Sequence, residues 1–261
     1  MKLRKQNRAA ILVSNEALTA LEWFPIDADP AHSGRVKYND VVRWLYNCLY
    51  RMNVECDFLN VSSENFEKYD LILVPALYAV PESVLQRLND YTAQGGCLLV
   101  TFKSAFADEF VKVRHQVQPA VLRECLGVEY HQFAFPENVS LRSEYAPELN
   151  HQPVCTFMEL LIPKGAQTLA SYQHENWKEY GAFTRNSYGK GTAFYLGCMV
   201  EETGLKIILR EVLKSAGIDC RQEQFPLIVR KGRNDFGKEV TFYLNYSAQK
   251  QKALWQGEQG T

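Results

Sequence analysis

Apolar positions fall along this chain in runs of two kinds, and their alternation implies a layered α/β fold. Ala9 to Val13 is a short, wholly apolar stretch closed by Ser14-Asn15, as expected of a parallel strand buried on both faces. From Tyr38 to Met52 the apolar side chains recur at Tyr38, Val41, Val42, Leu45, Leu49 and Met52. That spacing puts them on one stripe of a helix, and Asn39 and Asp40 at its start favour the dipole. Val54 to Val61 alternates in part (Val54, Cys56, Phe58), and Leu71-Ile72-Leu73-Val74 is a second all-apolar strand, opened by Asp70 and ended by Pro75. Pro81 sits where a helix can begin, because it has no amide proton to leave unpaired. Val84, Leu85, Leu88 and Tyr91 then mark one face up to the Gly95-Gly96 stop, and Cys97 to Thr101 is the next strand. Strand, helix, strand, strand, helix, strand predicts a doubly wound α/β sheet, with function at the carboxyl ends of its strands.

After Ala107 the pattern weakens. A short helix is expected around Pro119 to Leu126, followed to about Trp177 by an excursion carrying Pro136, Pro147, Pro153 and Pro163, with strands near Val154 to Leu161 and Thr168 to Tyr172. Gly189-Lys190-Gly191 joins Ala182 to Tyr188 with Thr192 to Leu196 as a hairpin. Leu205, Ile208, Leu209, Val212 and Leu213 form a last helical stripe, ended by Gly217. From Gln222 the text turns β-rich: Leu227 to Arg230 and Lys238 to Asn245 read as strand, turn, strand. The expected division is a first domain over 1–221 and a partial all-β domain over 222–261, a marginal unit by itself.

Composition narrows the field. With 261 residues, 46% hydrophobic and 12% aromatic, the chain can bury a full core. A formal charge of -1 gives no global attraction to nucleic acid, and the basic run Lys2, Arg4, Lys5, Arg8 reads as a solvated terminus. The apolar run that follows, Ala9 to Val13, is shorter than the roughly 7–15 residues of a signal peptide core. Nothing approaches the roughly 20 apolar residues of a membrane span. The seven cysteines, Cys48, Cys56, Cys97, Cys125, Cys155, Cys198 and Cys220, are odd in number and lack C-x-x-C spacing. That argues against a disulfide framework and a zinc ribbon, and fits a reducing cytoplasm.

Chemistry is sparse. Cysteine enzymes of this layout, the glutamine-hydrolysing ones among them, place the nucleophile on the sharp turn after a central strand and pair it with a histidine. The analogous turn here is Phe102-Lys103-Ser104-Ala105, without cysteine, and the G-x-S-x-G elbow that would support Ser104 is absent. No histidine (His32, His115, His131, His151, His174) is followed two residues on by glutamate. Cys97 begins its strand and reads as core; Cys198, just before a helix, is better placed to react, yet a buried small hydrophobe is the commoner fate. Neither Gly95-Gly96 nor Gly189-x-Gly191 follows a strand and opens a helix, so neither is a phosphate loop. Asn15-Glu16 matches the strand-end pair that carries the general acid of retaining glycosidases, but no eight-fold β/α repeat supplies a second carboxylate, and helix capping explains the pair. Trp23, Phe24, Trp44, Tyr46 and Tyr50 admit sugar stacking; core or subunit interface accounts for them more simply. No catalytic, cofactor or metal residue is therefore assigned.

Three stretches together resemble the middle and C-terminal parts of the family-42 glycoside hydrolases, β-galactosidases built as a catalytic barrel, a trimerisation domain and a small β domain. They are Ala10 to Phe24 with Tyr38 to Tyr46, Tyr69 to Tyr78 leading through Gly95 to Ser104 and Asp108-Glu109, and Tyr188 to Gly197. Their order and spacing match essentially the whole chain. The resemblance implies a flavodoxin-like, class I glutamine-amidotransferase-like open sheet without amidotransferase chemistry, which mediates homotrimer formation. The family's two catalytic glutamates lie on the barrel, upstream of anything present, so no catalytic residue carries over. It implies either a fragment of a longer enzyme acting on terminal β-D-galactosides or a degenerate stand-alone relative. Two other readings stay open: a small hydrolase or amidotransferase using Cys198 or Ser104, and a sugar-binding module.

Overall fold

The computed structural model describes residues 3–27, 36–220 and 225–253. The expected boundary between residues 221 and 222, and His32, lie outside them. The first half runs β1 (Ala9–Val13), α1 (Asn15–Trp23), α2 (Tyr38–Arg51), β2 (Cys56–Asn60), β3 (Leu71–Val74), α3 (Glu82–Ala93) and β4 (Cys97–Thr101). There follow α4 (Arg123–Leu126) and the short strands β5 (Val128–Glu129), β6 (Phe133–Ala134), β7 (Ser140–Arg142), β8 (Val154–Glu159), β9 (Ile162–Pro163) and β10 (Gln167–Gln173). The chain then forms β11 (Gly181–Tyr188), β12 (Gly191–Leu196), β13 (Cys198–Val200), α5 (Glu202–Ser215), β14 (Leu227–Arg233) and β15 (Glu239–Asn245).

One eight-stranded sheet organises the molecule, in the order β2-β1-β3-β4-β12-β11-β10-β7. The first five of these run parallel to one another; the hairpin β11-β12 then reverses direction, and β10 and β7 extend the sheet antiparallel. This enlarges the sequence-based picture. The proline-rich stretch read as an excursion contributes β7 and β10 to the main sheet, because the hairpin presents a free edge to them. The expected helix near Pro119 is shorter than its pattern, a 3-10 turn over Ala120–Leu122 leading into the four residues of α4.

Strand residues alternate between two cores. Ala9, Ile11, Leu71, Leu73, Leu99 and Phe194 face α1, α2 and α5, whereas Ala10, Leu12, Ile72, Val74, Leu98 and Tyr195 face α3 and α4. This is the period-two consequence of burying both faces of a strand, and it explains why those strands read as uninterrupted apolar runs. Each helix brings the stripe its spacing predicts: Leu205, Ile208, Leu209, Val212 and Leu213 of α5 are all fully buried, each contributing roughly 1.5–3 kcal/mol. The start of α1 differs in detail from expectation. Ser14, not Asn15, is the cap, its Oγ accepting from the Ala17 amide at 3.0 Å and donating to Glu16 at 2.9 Å, which places the acidic side chain in the first turn.

The β-rich end consists, among the described residues, of the β14-β15 hairpin. It is tied to the first body: Arg4 and Arg233 exchange backbone hydrogen bonds at 2.8 and 2.9 Å, and Asn53 pairs with the backbone of Leu227 and Val229. Leu227, Ile228 and Val229 are buried by this docking, which offsets the instability of an isolated two-stranded ribbon.

The hairpin turn tolerates nothing but glycine at its close approach to α3. A Cβ on Gly191 would lie 2.1 Å from the Thr92 carbonyl oxygen and 2.3 Å from that of Gly96, both rigid backbone. Gly191→Ala is expected to lower stability by about 1–3 kcal/mol or more, read as a reduced midpoint in a urea titration.

Candidate functional site

The carboxyl ends of β1, β3 and β4 meet where an open α/β sheet places its ligand. There the turn after β4 is sharply strained: Lys103 and Ala105 sit at φ 56° and 61°, and Ala76, opposite them after β3, at φ 37°, a region that L residues occupy at a cost. The turn is held from several sides. The Ala76 amide donates to Thr101 Oγ1 at 2.8 Å, the Leu77 amide to Ser104 Oγ at 3.0 Å, and the Ala105 amide to the Leu77 carbonyl at 2.9 Å. Ser104 is fully buried, and its hydroxyl braces the neighbouring loop. No histidine is bonded to it among the described residues.

Lys103, in that turn, points inward. Its backbone amide donates to Glu159 Oε1 at 2.7 Å and its Nζ to the Pro25 carbonyl at 2.6 Å. The ammonium lies over the rings of Phe157, Phe24 and Phe133, at 4.9, 5.7 and 5.9 Å, where the negative ring faces offset part of its lost hydration. Glu159, at the end of β8, also accepts from the Tyr195 hydroxyl at 2.7 Å, and both side chains are buried. Burial pushes the Glu159 carboxyl up to about 7, against the pull of the Lys103 amide and the Tyr195 hydroxyl. Burial likewise lowers the Lys103 ammonium to about 8, with Glu159 and Asp27 opposing the fall.

The space left between these groups is a hollow of about 10 Å³ lined by Phe24, Tyr78, Lys103, Phe106, Phe133 and Glu159. It has room for about one water and none for a sugar. Larger hollows, of about 310 and 450 Å³, lie away from the strand ends, beside Asn7, Asn53 and Lys231 and beside Arg210, Lys214 and Gly217.

The other residues singled out in the sequence are dispersed. Cys198 is fully buried and its thiol is pushed up by desolvation, the reverse of an activated thiolate. Cys97 is core, pushed up to about 12 by burial. Trp44 is half-buried, donating from Nε1 to the Val200 carbonyl at 3.0 Å, whereas Trp23 is 86% exposed, so it is not core. Sequence reasoning passed over Glu159 altogether. Its signal was a single carboxylate within the apolar run from Phe157 to Ile162, a pattern that demands a buried partner.

The sign of the pH effect follows from these shifts. Between about pH 4.5 and 7 the folded protein holds a proton on Glu159 that the unfolded chain has released, so this group's contribution to stability falls as pH rises. Between about pH 8 and 10.5 the unfolded chain holds the extra proton at Lys103, so stability recovers. Glu159→Gln is therefore expected to change the melting temperature in a pH-dependent way, gaining on the parent chain by several degrees from pH 5 to pH 8. Parallel melting curves that keep a constant separation would contradict this.

The chain has relatives among known proteins. The model of the β-galactosidase trimerisation domain matches residues 7–219. The chain is 28% identical over 190 residues to β-galactosidase BgaB of Geobacillus sp. (strain Y412MC61), covering 73% of this chain and 28% of that protein. It is 28% identical over 215 residues to β-galactosidase LacA of Lactobacillus acidophilus, covering 81% and 32% respectively. It thus spans about a third of the length of the relatives it matches. Among solved structures, the β-galactosidase from Bacillus circulans sp. alkalophilus superposes with a TM-score of 0.84 at 22% identity, over 95% of this chain and 37% of that one. With four-fifths of its length matched by one family model, the chain belongs to the trimerisation-domain family of the family-42 β-galactosidases.

Proposed function

We propose that this chain is a non-catalytic association segment, which holds copies of a β-galactosidase-like glycoside hydrolase together as a homotrimer. The observation that carries the reading is the turn at Lys103-Ser104. The place where enzymes of this layout keep a nucleophile is occupied by a lysine whose ammonium bonds the Pro25 carbonyl, beside a serine spent on the Leu77 amide. Such a site is closed to substrate and braced for rigidity. In this reading the sheet descends from an amidotransferase-like, flavodoxin-like ancestor, whose strand order 2-1-3-4-5 the parallel half of the sheet repeats. The β14-β15 hairpin begins a second domain, from about residue 222. The longer protein acts on terminal β-D-galactosides with residues outside this chain, in the cytoplasm.

Sedimentation velocity over a concentration series is expected to find a trimer, and the purified chain is expected to cleave no chromogenic galactoside. Turnover that co-purifies with the chain, and that a thiol reagent abolishes through Cys198, would replace this reading with the cysteine-hydrolase alternative. Cys198 is expected instead to label far more slowly than free cysteine until the fold is unfolded.

A further inference from the structure

The Lys103 ammonium sits in a box of aromatic rings. Its nitrogen lies 4.9 Å from the centre of Phe157, 5.7 Å from that of Phe24 and 5.9 Å from that of Phe133, all inside the roughly 6 Å within which a ring face attracts a cation. Tyr78 and Phe106, stacked on each other at 5.4 Å, complete the lining with the Glu159 side chain. The groups that hold the nitrogen accept hydrogen bonds or carry negative charge: the Pro25 carbonyl accepts from Nζ at 2.6 Å, and Glu159 and Asp27 favour the protonated amine. These parts come from the end of α1, the loop after β3, the turn after β4, and strands β6 and β8, and the ammonium is what they have in common. Ring faces, a carbonyl and carboxylates together are what a cation needs to leave water. They meet at the strand ends, where an open α/β sheet keeps its ligand.

We propose that this box is a binding site for a primary ammonium ion, filled in this chain by its own Lys103. The chemistry of the lining selects that class. An anion is repelled by the ring faces and by the carboxylates, and a neutral alcohol gains little from the ring faces. A quaternary ammonium has no proton to give the Pro25 carbonyl, and its methyl groups exceed the hollow of about 10 Å³ that remains. The occupant keeps its charge at neutral pH, because burial lowers the Lys103 ammonium only to about 8. Removing the side chain leaves a space shaped for n-butylammonium, which repeats the four-carbon stem and nitrogen of lysine. Glycine suits the position, since residue 103 sits at φ 56°, where a residue without Cβ is unstrained. The bond from its amide to Glu159 belongs to the backbone and survives the change.

The test is thermal melting of the full 261-residue chain and of its K103G variant at neutral pH and fixed ionic strength. Each is titrated with n-butylammonium chloride, with n-butanol as the uncharged isostere and with tetramethylammonium chloride as the cation without a proton. K103G is expected to melt below the parent and to regain about 3–5 °C at ten times the dissociation constant of n-butylammonium, along a saturating curve. The two comparison compounds are expected to give less than about a third of that gain, and the parent, whose box is full, to show no saturable gain. A K103G variant that gains nothing from n-butylammonium overturns the proposal. So does an equal gain from n-butanol, which would make the box a plain apolar cavity, or an equal gain from tetramethylammonium, which would remove the role of the Pro25 carbonyl. A parent chain that gains as much as the variant places the amine elsewhere and overturns it too. If K103G does not fold by itself, the far-UV spectrum is read instead: its recovery with n-butylammonium and not with n-butanol supports the site, and failure to recover overturns it.

Discussion

A parallel strand buried on both faces has no water to satisfy its backbone and no polar side to turn outward. Everything around it must be arranged accordingly, with neighbours on both edges and helices above and below. In this protein β1, β3 and β4 are in that position, and their residues divide one by one between the two cores. The amphipathic stripes of α2 and α5 on one side and α3 on the other exist to cover them. The hairpin β11-β12 supplies the missing edge beside β4, and its tight passage at Gly191 against the end of α3 is the geometric cost of bringing an antiparallel ribbon into a parallel sheet.

The same constraint governs the strand ends. Where β4 emerges from the core the chain must turn within a few residues, and it does so through two left-handed residues, Lys103 and Ala105. Such strain persists only where the surroundings over-determine it. Here they do so with the Glu159 carboxyl on the Lys103 amide, the Pro25 carbonyl on its ammonium, and the Thr101 and Ser104 hydroxyls on the facing loop. In enzymes this kind of turn exposes a reactive atom. In this chain the groups point inward and bond one another.

The chain spans about a third of its relatives' length. In the proposed reading, chemistry and assembly are divided between separate parts of a longer protein. The assembly part then needs a stiff sheet and an apolar surface more than it needs a cleft. Its polar groups at the strand ends serve that stiffness, since an unpaired one would be expensive in so dry a setting.

Much of this was legible in the residues themselves. The apolar runs and helical stripes set the order of the parallel half, because burial on two faces or along one stripe is a local property with its own period. The family resemblance was likewise readable from the longer stretches. Tertiary structure alone decided the rest. That β7 and β10 join the main sheet depends on which edge the hairpin offers, and strand pairing is a long-range choice that a strand's own residues do not encode. That Lys103 is buried, and that its partner is Glu159, fifty-six residues away, could not be read from either residue's neighbours. An ionisable side chain is driven inward only when distant elements supply its hydrogen bonds, and those meet it only once the chain is folded.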